Sequence, residues 1–394
     1  MNDSKLGQNQ ESIQASNKAL LLELIREEGN CSRAFLAKKT GLQPTTVTYI
    51  INDFIKCGLV EETGLIAGSR GRRSIGIKIT DKKYAVLGIR LARTGFCVGT
   101  FTLSGKPIKI EEHTYLNGAS ADDLINMVTE KALAIKNETK GYQVMNAGIA
   151  VPGPYNYIEG RILLMTGSVD WSNINLPQTF SEKLSMNVVC IHDASAGALY
   201  ENWNNPSKGR NNAILYVSVG QGVGGGLLYS GKAMNGSRGY AGEIGHMTIE
   251  KDGIPCQCGN RGCLERYTSS LSLEGFISKK KGREVSFKEF KDLLSHGDKE
   301  AIECFDDVCD AMATGMVNVF NCFDPEKIIF GDEVSKILPD KFLKKVKAGM
   351  SKRILPSLLG NLDMMVVADD VNAELYGAGV AAIQEIYSNY QHYF

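Results

Sequence analysis

The 394-residue sequence has no net charge, because 44 Lys and Arg are matched by 44 Asp and Glu. A protein-wide positive field that would draw nucleic acid is thereby excluded, and any basic surface has to be local. No uninterrupted apolar stretch reaches the ~20 residues of a membrane-spanning helix, so no membrane partner is expected. The opening residues, Met1-Asn2-Asp3-Ser4-Lys5-Leu6-Gly7-Gln8, are polar and lack the apolar run of a signal peptide. Cysteine is not scarce, but seven of the ten are scattered. Disulfide frameworks belong to short secreted chains, so a reducing cytoplasm is expected, with most thiols simply buried. What remains is a soluble globular composition, 43% apolar and 22% charged, in a chain long enough for two or three domains.

Three cysteines are not scattered. Pro255-Cys256-Gln257-Cys258-Gly259-Asn260-Arg261-Gly262-Cys263-Leu264-Glu265 follows closely on Gly242-Glu243-Ile244-Gly245-His246. His246, Cys256, Cys258 and Cys263 have the ligand types and spacing of a closed, structural zinc site. Such a site ties two loops together and brings Glu243, His246 and Glu265 near one another, side chains suited to gripping a polyol.

The first eighty residues have a different character. Leu20, Leu21, Leu24 and Ile25 recur at helical spacing between Ser16 and Glu28, and Ser32 can cap a second helix over 33–39. A third helix starts at Pro44 and carries Val47, Ile50, Ile51, Phe54 and Ile55 to Gly58. Ala37, Gly41 and Val47 stand at helix-turn-helix spacing. The solvent face of the third helix presents Gln43, Thr45, Thr46, Thr48 and Tyr49 to a major groove. Two strands, 59–62 and 74–79, flank Gly68-Ser69-Arg70-Gly71-Arg72-Arg73. A glycine loop with Arg70, Arg72 and Arg73 fits a wing on phosphates or in a minor groove. DNA readers of this kind usually act in pairs, so a homodimer or homotetramer is expected.

From Tyr84 onward strands and helices alternate, which argues for an α/β body of two lobes around a cleft. Strand-like runs are 84–89, 96–101, 147–151, 188–191 and 213–219, and helix-like runs are 124–135, 194–202 and 301–323. Gly220-Gln221-Gly222-Val223-Gly224-Gly225-Gly226 follows a strand directly. Bare amides in such a loop can cradle phosphate, or the glycines can merely permit a turn.

Together these residues resemble the ROK family of repressors, open reading frames and sugar kinases. The resemblance spans nearly the whole chain. Its most specific part runs from Val219 through Gly236 and Gly242 to His246 and on into Cys256-x-Cys258-Gly259-x-x-Gly262-Cys263-x-Glu265. It implies a winged helix-turn-helix over 1–82, followed by an actin-like, hexokinase-like body over 83–394. Lobe one would cover about 83–195 plus a C-terminal helix, 372–394, and lobe two about 196–371 with the zinc site. It also implies roles. His246, Cys256, Cys258 and Cys263 match zinc ligands, Asp193 matches the carboxylate that contacts a sugar hydroxyl, and Glu243, His246 and Glu265 match further sugar contacts. Gly153, in Val151-Pro152-Gly153-Pro154, matches a loop flanking the sugar.

Kinase members carry Asp-x-Gly-Gly-Thr after the first body strand, to hold ATP phosphates and magnesium. The matching stretch here is Gly88-Ile89-Arg90-Leu91-Ala92-Arg93-Thr94-Gly95. Arg90 replaces the acid, and Ala92 and Arg93 replace the paired glycines, which removes what transfer from Mg-ATP requires. Arginine can itself bind phosphate, so not every anion is excluded. His192 before Asp193, where kinases have Asn, is similar to the repressor branch; it is a sugar contact or an ordinary core histidine. Gly331-Asp332-Glu333-Val334 replaces a glycine-rich nucleotide turn. The expected protein is a cytoplasmic, sugar-responsive repressor that binds operator DNA and a monosaccharide or sugar phosphate, with no catalysis. The alternative is an ATP-dependent sugar kinase with a regulatory domain, using Asp193 as base.

Overall fold

The computed structural model describes residues 10–67, 73–115, 119–163, 171–205, 213–360 and 362–394. Arg70 and Arg72 lie outside them. Helices Gln10–Glu28, Arg33–Thr40 and Pro44–Cys57 precede a hairpin of Val60–Ala67 and Arg73–Ile79, to which the short strand Cys31–Ser32 adds a third edge. The first helix therefore begins at Gln10 rather than Ser16. Ser32 caps the second helix, its hydroxyl accepting the Phe35 N–H at 3.2 Å, and Gly41 takes the left-handed φ of 73° that turns the chain into the third. Leu21, Leu22, Ile25, Leu36, Val47, Ile51 and Phe54 are buried between these elements.

The body contains two five-stranded mixed sheets. In the first, Val188–His192, Gln143–Val151 and Tyr84–Leu91 run parallel, and Gly95–Thr102 and Pro107–Thr114 continue antiparallel from them. In the second, Ala213–Val219 lies at the centre. Lys327–Gly331 and Asp363–Val366 run parallel on one side, with Val223–Tyr229 and Lys232–Ala233 antiparallel on the other. The glycine-rich segment is thus not one loop. Gly220 to Gly222 is a three-residue turn closed by the Gly220 N–H on the Gly222 carbonyl at 3.0 Å, and the remaining glycines belong to a strand. They serve packing: a Cβ on Gly226 would lie 2.0 Å from the carbonyl oxygen of Ala194.

Helices Asp193–Asn204 and Ala373–Ser388 pack against each other, the first also on the second sheet and the second on the first. The expected C-terminal helix is broken at Asn389, after which Tyr390–Tyr393 makes a separate turn. Its far end shares one core with the winged helix, in which Ile383, Ile386, Tyr387 and Tyr390 meet Leu21, Leu22, Ile25 and Phe54. Large side chains buried there each contribute about 1.5–3 kcal/mol. Polar contacts give the junction direction. Lys18 Nζ is 2.6 Å from Asp53 and 4.1 Å over the Tyr390 ring, while the Arg26 guanidinium stacks 3.9 Å over Trp203 and donates to its carbonyl at 2.8 Å.

Candidate functional site

Each of the two sheets ends in loops that face the other across a cavity of about 240 Å³. That is below the roughly 300–1,000 Å³ of drug-sized ligand sites and suits a small polar molecule. All five expected ligand contacts, Gly153, Asp193, Glu243, His246 and Glu265, line it. Asp193 begins the helix that follows strand Val188–His192; its Oδ1 accepts the Ala194 N–H at 2.6 Å and lies 3.3 Å from His192 Nε2. Gly153 is held where a Cβ would sit 2.5 Å from His192 Nε2 and 2.6 Å from Glu243 Oε1, so a larger residue would displace both. Burial pushes the Glu243 carboxyl above the ordinary range, with His192 and His246 opposing. His192, open as a contact or a core residue from the sequence, is buried and also lines the cavity, and its Nδ1 has no hydrogen-bond partner among the described residues.

Gly88 to Gly95, the segment expected to match a kinase phosphate loop, is engaged in contacts within the protein. The Ala92 N–H bonds the Gly95 carbonyl at 2.9 Å, closing a tight turn. Arg90 reaches across the cleft: one terminal nitrogen is 2.9 Å from Asp332, the other 3.7 Å from Glu374 and 3.5 Å from Asn372 Oδ1. Asp332 also accepts from the Ser218 hydroxyl at 3.1 Å, and Tyr216 donates to Glu374 at 2.9 Å. Burial alone would lower the Arg90 pKa, but Glu374 and Asp332 outweigh it and hold the guanidinium firmly charged. Arg93 donates to the Gln221 carbonyl at 3.2 Å, and the Gln221 side chain donates back to Thr94 at 3.3 Å. Sequence reasoning marked Arg90 and Asp332 separately as departures from a kinase and missed that they form one pair. It also missed Glu112, Ser218 and Glu333 in the lining.

His246, Cys256, Cys258 and Cys263 converge, with one ligand atom from each all within 4.8 Å of one another. A zinc ion with arms of about 2.3 Å to sulfur defines a tetrahedron with edges of about 3.8 Å. The Cys258–Cys263 Sγ separation and the Cys256 Sγ to His246 Nδ1 separation are both 3.7 Å. The four residues can therefore hold a metal ion, and Asn260 donates to Cys263 Sγ at 3.4 Å. On the third helix Gln43, Thr45, Thr48 and Tyr49 are exposed, Tyr49 by 64%, while Thr46 is half-buried. Thr48 bonds its own helix through the Pro44 carbonyl at 2.8 Å. Arg73 is exposed at the start of its strand. Asn52 and Lys56, one and two turns further along this face, are exposed too and were readable from the same periodicity.

A helix-turn-helix with a wing, joined to a two-lobed sugar-kinase frame around a carboxylate-rich cleft, defines the class of protein. The chain belongs to the ROK family, whose model matches residues 86–385, and a winged helix-turn-helix DNA-binding model matches residues 17–61. It is similar to a xylose repressor of Bacillus spizizenii, 29% identical over 376 residues that cover 94% of this chain and 96% of that protein. The DNA-binding transcriptional dual regulator NagC of Escherichia coli is 27% identical over 372 residues, covering 91% and 90%. Among solved structures, a ROK family transcriptional regulator described as a homologue of the E. coli MLC protein superposes with a TM-score of 0.79 at 23% identity, covering 96% and 97%. The ROK hexokinase of Thermus thermophilus superposes with a TM-score of 0.64 at 24% identity, covering 77% of this chain and 99% of the kinase. The fold is thus shared with regulators and kinases alike.

Proposed function

We propose that this protein is a sugar-responsive transcriptional repressor of carbohydrate-utilisation genes and not a kinase. Residues 1–82 would bind operator DNA, through Gln43, Thr45, Thr46, Thr48, Tyr49 and the arginines 70, 72 and 73. Residues 83–394 would bind the sugar between lobes divided near residues 195 and 372. Asp193, Glu243, His246 and Glu265 would accept from or donate to its hydroxyls, with Gly153 leaving the space. The observation that carries the reading is the commitment of Arg90 to Asp332 and Glu374, at the position where a kinase needs a free acid for magnesium. The adjoining space, which the kinase match would give to the nucleotide, is lined by Glu112, Glu333, Asp369 and Asp370 as well, with Lys336 and Arg90 as its cations, a balance that disfavours a triphosphate.

Zinc would be structural. Bound through His246 Nδ1 it would leave Nε2–H as a fixed donor for the cavity His246 lines, and it would perform no chemistry. A cytoplasmic homodimer or homotetramer would set two winged helices at the spacing of operator half-sites, and the sugar would act by its different affinity for DNA-competent and incompetent arrangements.

A thermal-shift screen of the purified protein against monosaccharides and sugar phosphates tests the sensor reading, since a ligand at 100 times its Kd adds about 2.7 kcal/mol. A gel-shift titration with the hit should then show a change in operator affinity. A coupled assay with Mg-ATP tests the rival: turnover above about 1 per second with any sugar would establish a kinase.

A further inference from the structure

Strand Val188–His192 lies at the edge of the first sheet, where backbone donors depend on partners outside the ladder. Its last residue, His192, leads directly into helix Asp193–Asn204 and gives that helix no side-chain cap. The His192 N–H is accepted by the Tyr157 hydroxyl oxygen at 2.9 Å. Tyr157 opens the turn between the paired segments Tyr155–Asn156 and Arg161–Ile162, shortly after Gly153, so one hairpin both borders the cavity and holds the junction that delivers Asp193 to it. Tyr157 itself is not among the described residues that line the cavity. Its ring has little freedom. The Tyr155 ring meets it edge-on at 4.9 Å, and the backbone of Gly239, in the loop leading to Glu243, lies so close that a Cβ there would sit 2.8 Å from Tyr157 Cδ2 and 2.9 Å from its N. Burial pushes the phenol up to about 12, so near neutral pH it remains a hydroxyl.

We infer that Tyr157 is a positioning residue: its hydroxyl fixes the backbone at His192 and thereby aims the Asp193 carboxylate at the ligand. The inference rests on the sugar-sensor reading above and adds to it a residue behind the cavity wall. A hydrogen bond fixes direction only when its acceptor cannot swing away, and the contacts of the Tyr157 ring with Tyr155 and Gly239 meet that condition. Asp193 Oδ1 bonds within its own helix, to the Ala194 N–H at 2.6 Å, and His192 Nε2 lies 3.3 Å from the same oxygen. The two side chains therefore turn together with the backbone that carries them. A displacement of about 1 Å leaves such a contact too loose to grip a hydroxyl.

The test is Tyr157→Phe in the full-length protein, a change that keeps the ring and removes the hydroxyl. In amide hydrogen exchange, loss of the acceptor should speed exchange of the His192 N–H by about tenfold. In calorimetric titration against aldopentoses, aldohexoses and their 2-acetamido derivatives, the variant should bind the parent protein's sugar about tenfold more weakly. Single-deoxy analogues of that sugar show whether the loss runs through Asp193. One analogue, lacking the hydroxyl that Asp193 grips, should bind parent and variant alike, and it should also be the analogue least affected by Asp193→Asn. Equal weakening of the sugar and of all its analogues would make Tyr157 a merely structural residue and overturn the inference while leaving the sensor reading intact. Unchanged exchange at His192 would overturn it whatever the titrations show. Failure of the parent protein to bind any sugar in the panel would instead remove the sensor reading and this inference together.

Discussion

Arg90 stands on a strand whose neighbouring residues Leu87, Ile89 and Leu91 are fully buried and apolar. A guanidinium in that company is tolerable only with its charge matched, and Asp332, just past strand Lys327–Gly331 of the second sheet, and Glu374, on helix Ala373–Ser388, supply the match. Glu374 is 2% exposed, so removing its cation strands a buried carboxylate. Arg90→Met should therefore lower the unfolding free energy by about 3–5 kcal/mol, measured by urea denaturation, and Arg90→Met/Glu374→Met should recover part of it. Parent-like unfolding of the single variant would mean that the pair does not join the lobes. The partnership was not legible in the chain, because 242 positions separate Arg90 from Asp332 and each looked like an isolated loss. What was legible at this scale was chemistry carried by local spacing. The five expected ligand contacts and the four Cys and His residues lie in short motifs, and the structure brings each set together.

At the scale of elements, apolar periodicity placed strands such as 84–89, which the structure extends to Tyr84–Leu91, and 213–219, and caps placed the helices around Gly41. The glycine-rich segment misled because glycine has no pattern of its own. Val223–Tyr229 is a strand whose Gly226 admits the backbone of helix Asp193–Asn204 and whose Gly225 admits Ile244, requirements imposed by other elements and invisible locally. The loops carrying Glu243, His246 and Glu265 have little regular structure to hold them: a three-residue 3-10 turn, isolated bridges from Thr248 to Cys263 and from Pro255 to Arg261, and a four-residue helix. A metal ion would be the main constraint on their spacing. Cys258, the exposed member of the four, is the substitution least disturbing to the core. Cys258→Ser should take the zinc content from about one per chain toward zero, read by atomic absorption, and weaken sugar binding at least tenfold. Unchanged sugar affinity in the metal-free variant would separate the two sites.

For the whole molecule the question is how a cavity between lobes can speak to a DNA-binding domain at the other end of the chain. Helix Ala373–Ser388 has one end in each place. Over its 16 residues, about 24 Å, it runs from Glu374, held by Arg90 and Tyr216, to Ile386 and Tyr387, packed on the winged helix. Tyr390 then stacks edge-on against Phe54 of the third helix at 5.4 Å, under Lys18. A rigid rod with both ends buried transmits a change in lobe angle as a change in winged-helix position, provided the docking is firm. Coupling of this kind is reciprocal: if sugar weakens operator binding by some factor, operator must weaken sugar binding by the same factor, commonly 5–150-fold. Tyr390→Ala opens a cavity at the docking surface and should cost about 3–5 kcal/mol of local packing. The expected result is an unchanged sugar Kd in the absence of DNA, with the operator-to-sugar coupling factor falling toward one, measured by titrating sugar with and without operator duplex. Full coupling in that variant would show that the signal travels by another route, and loss of sugar binding without DNA would show that Tyr390 supports the cleft rather than the link.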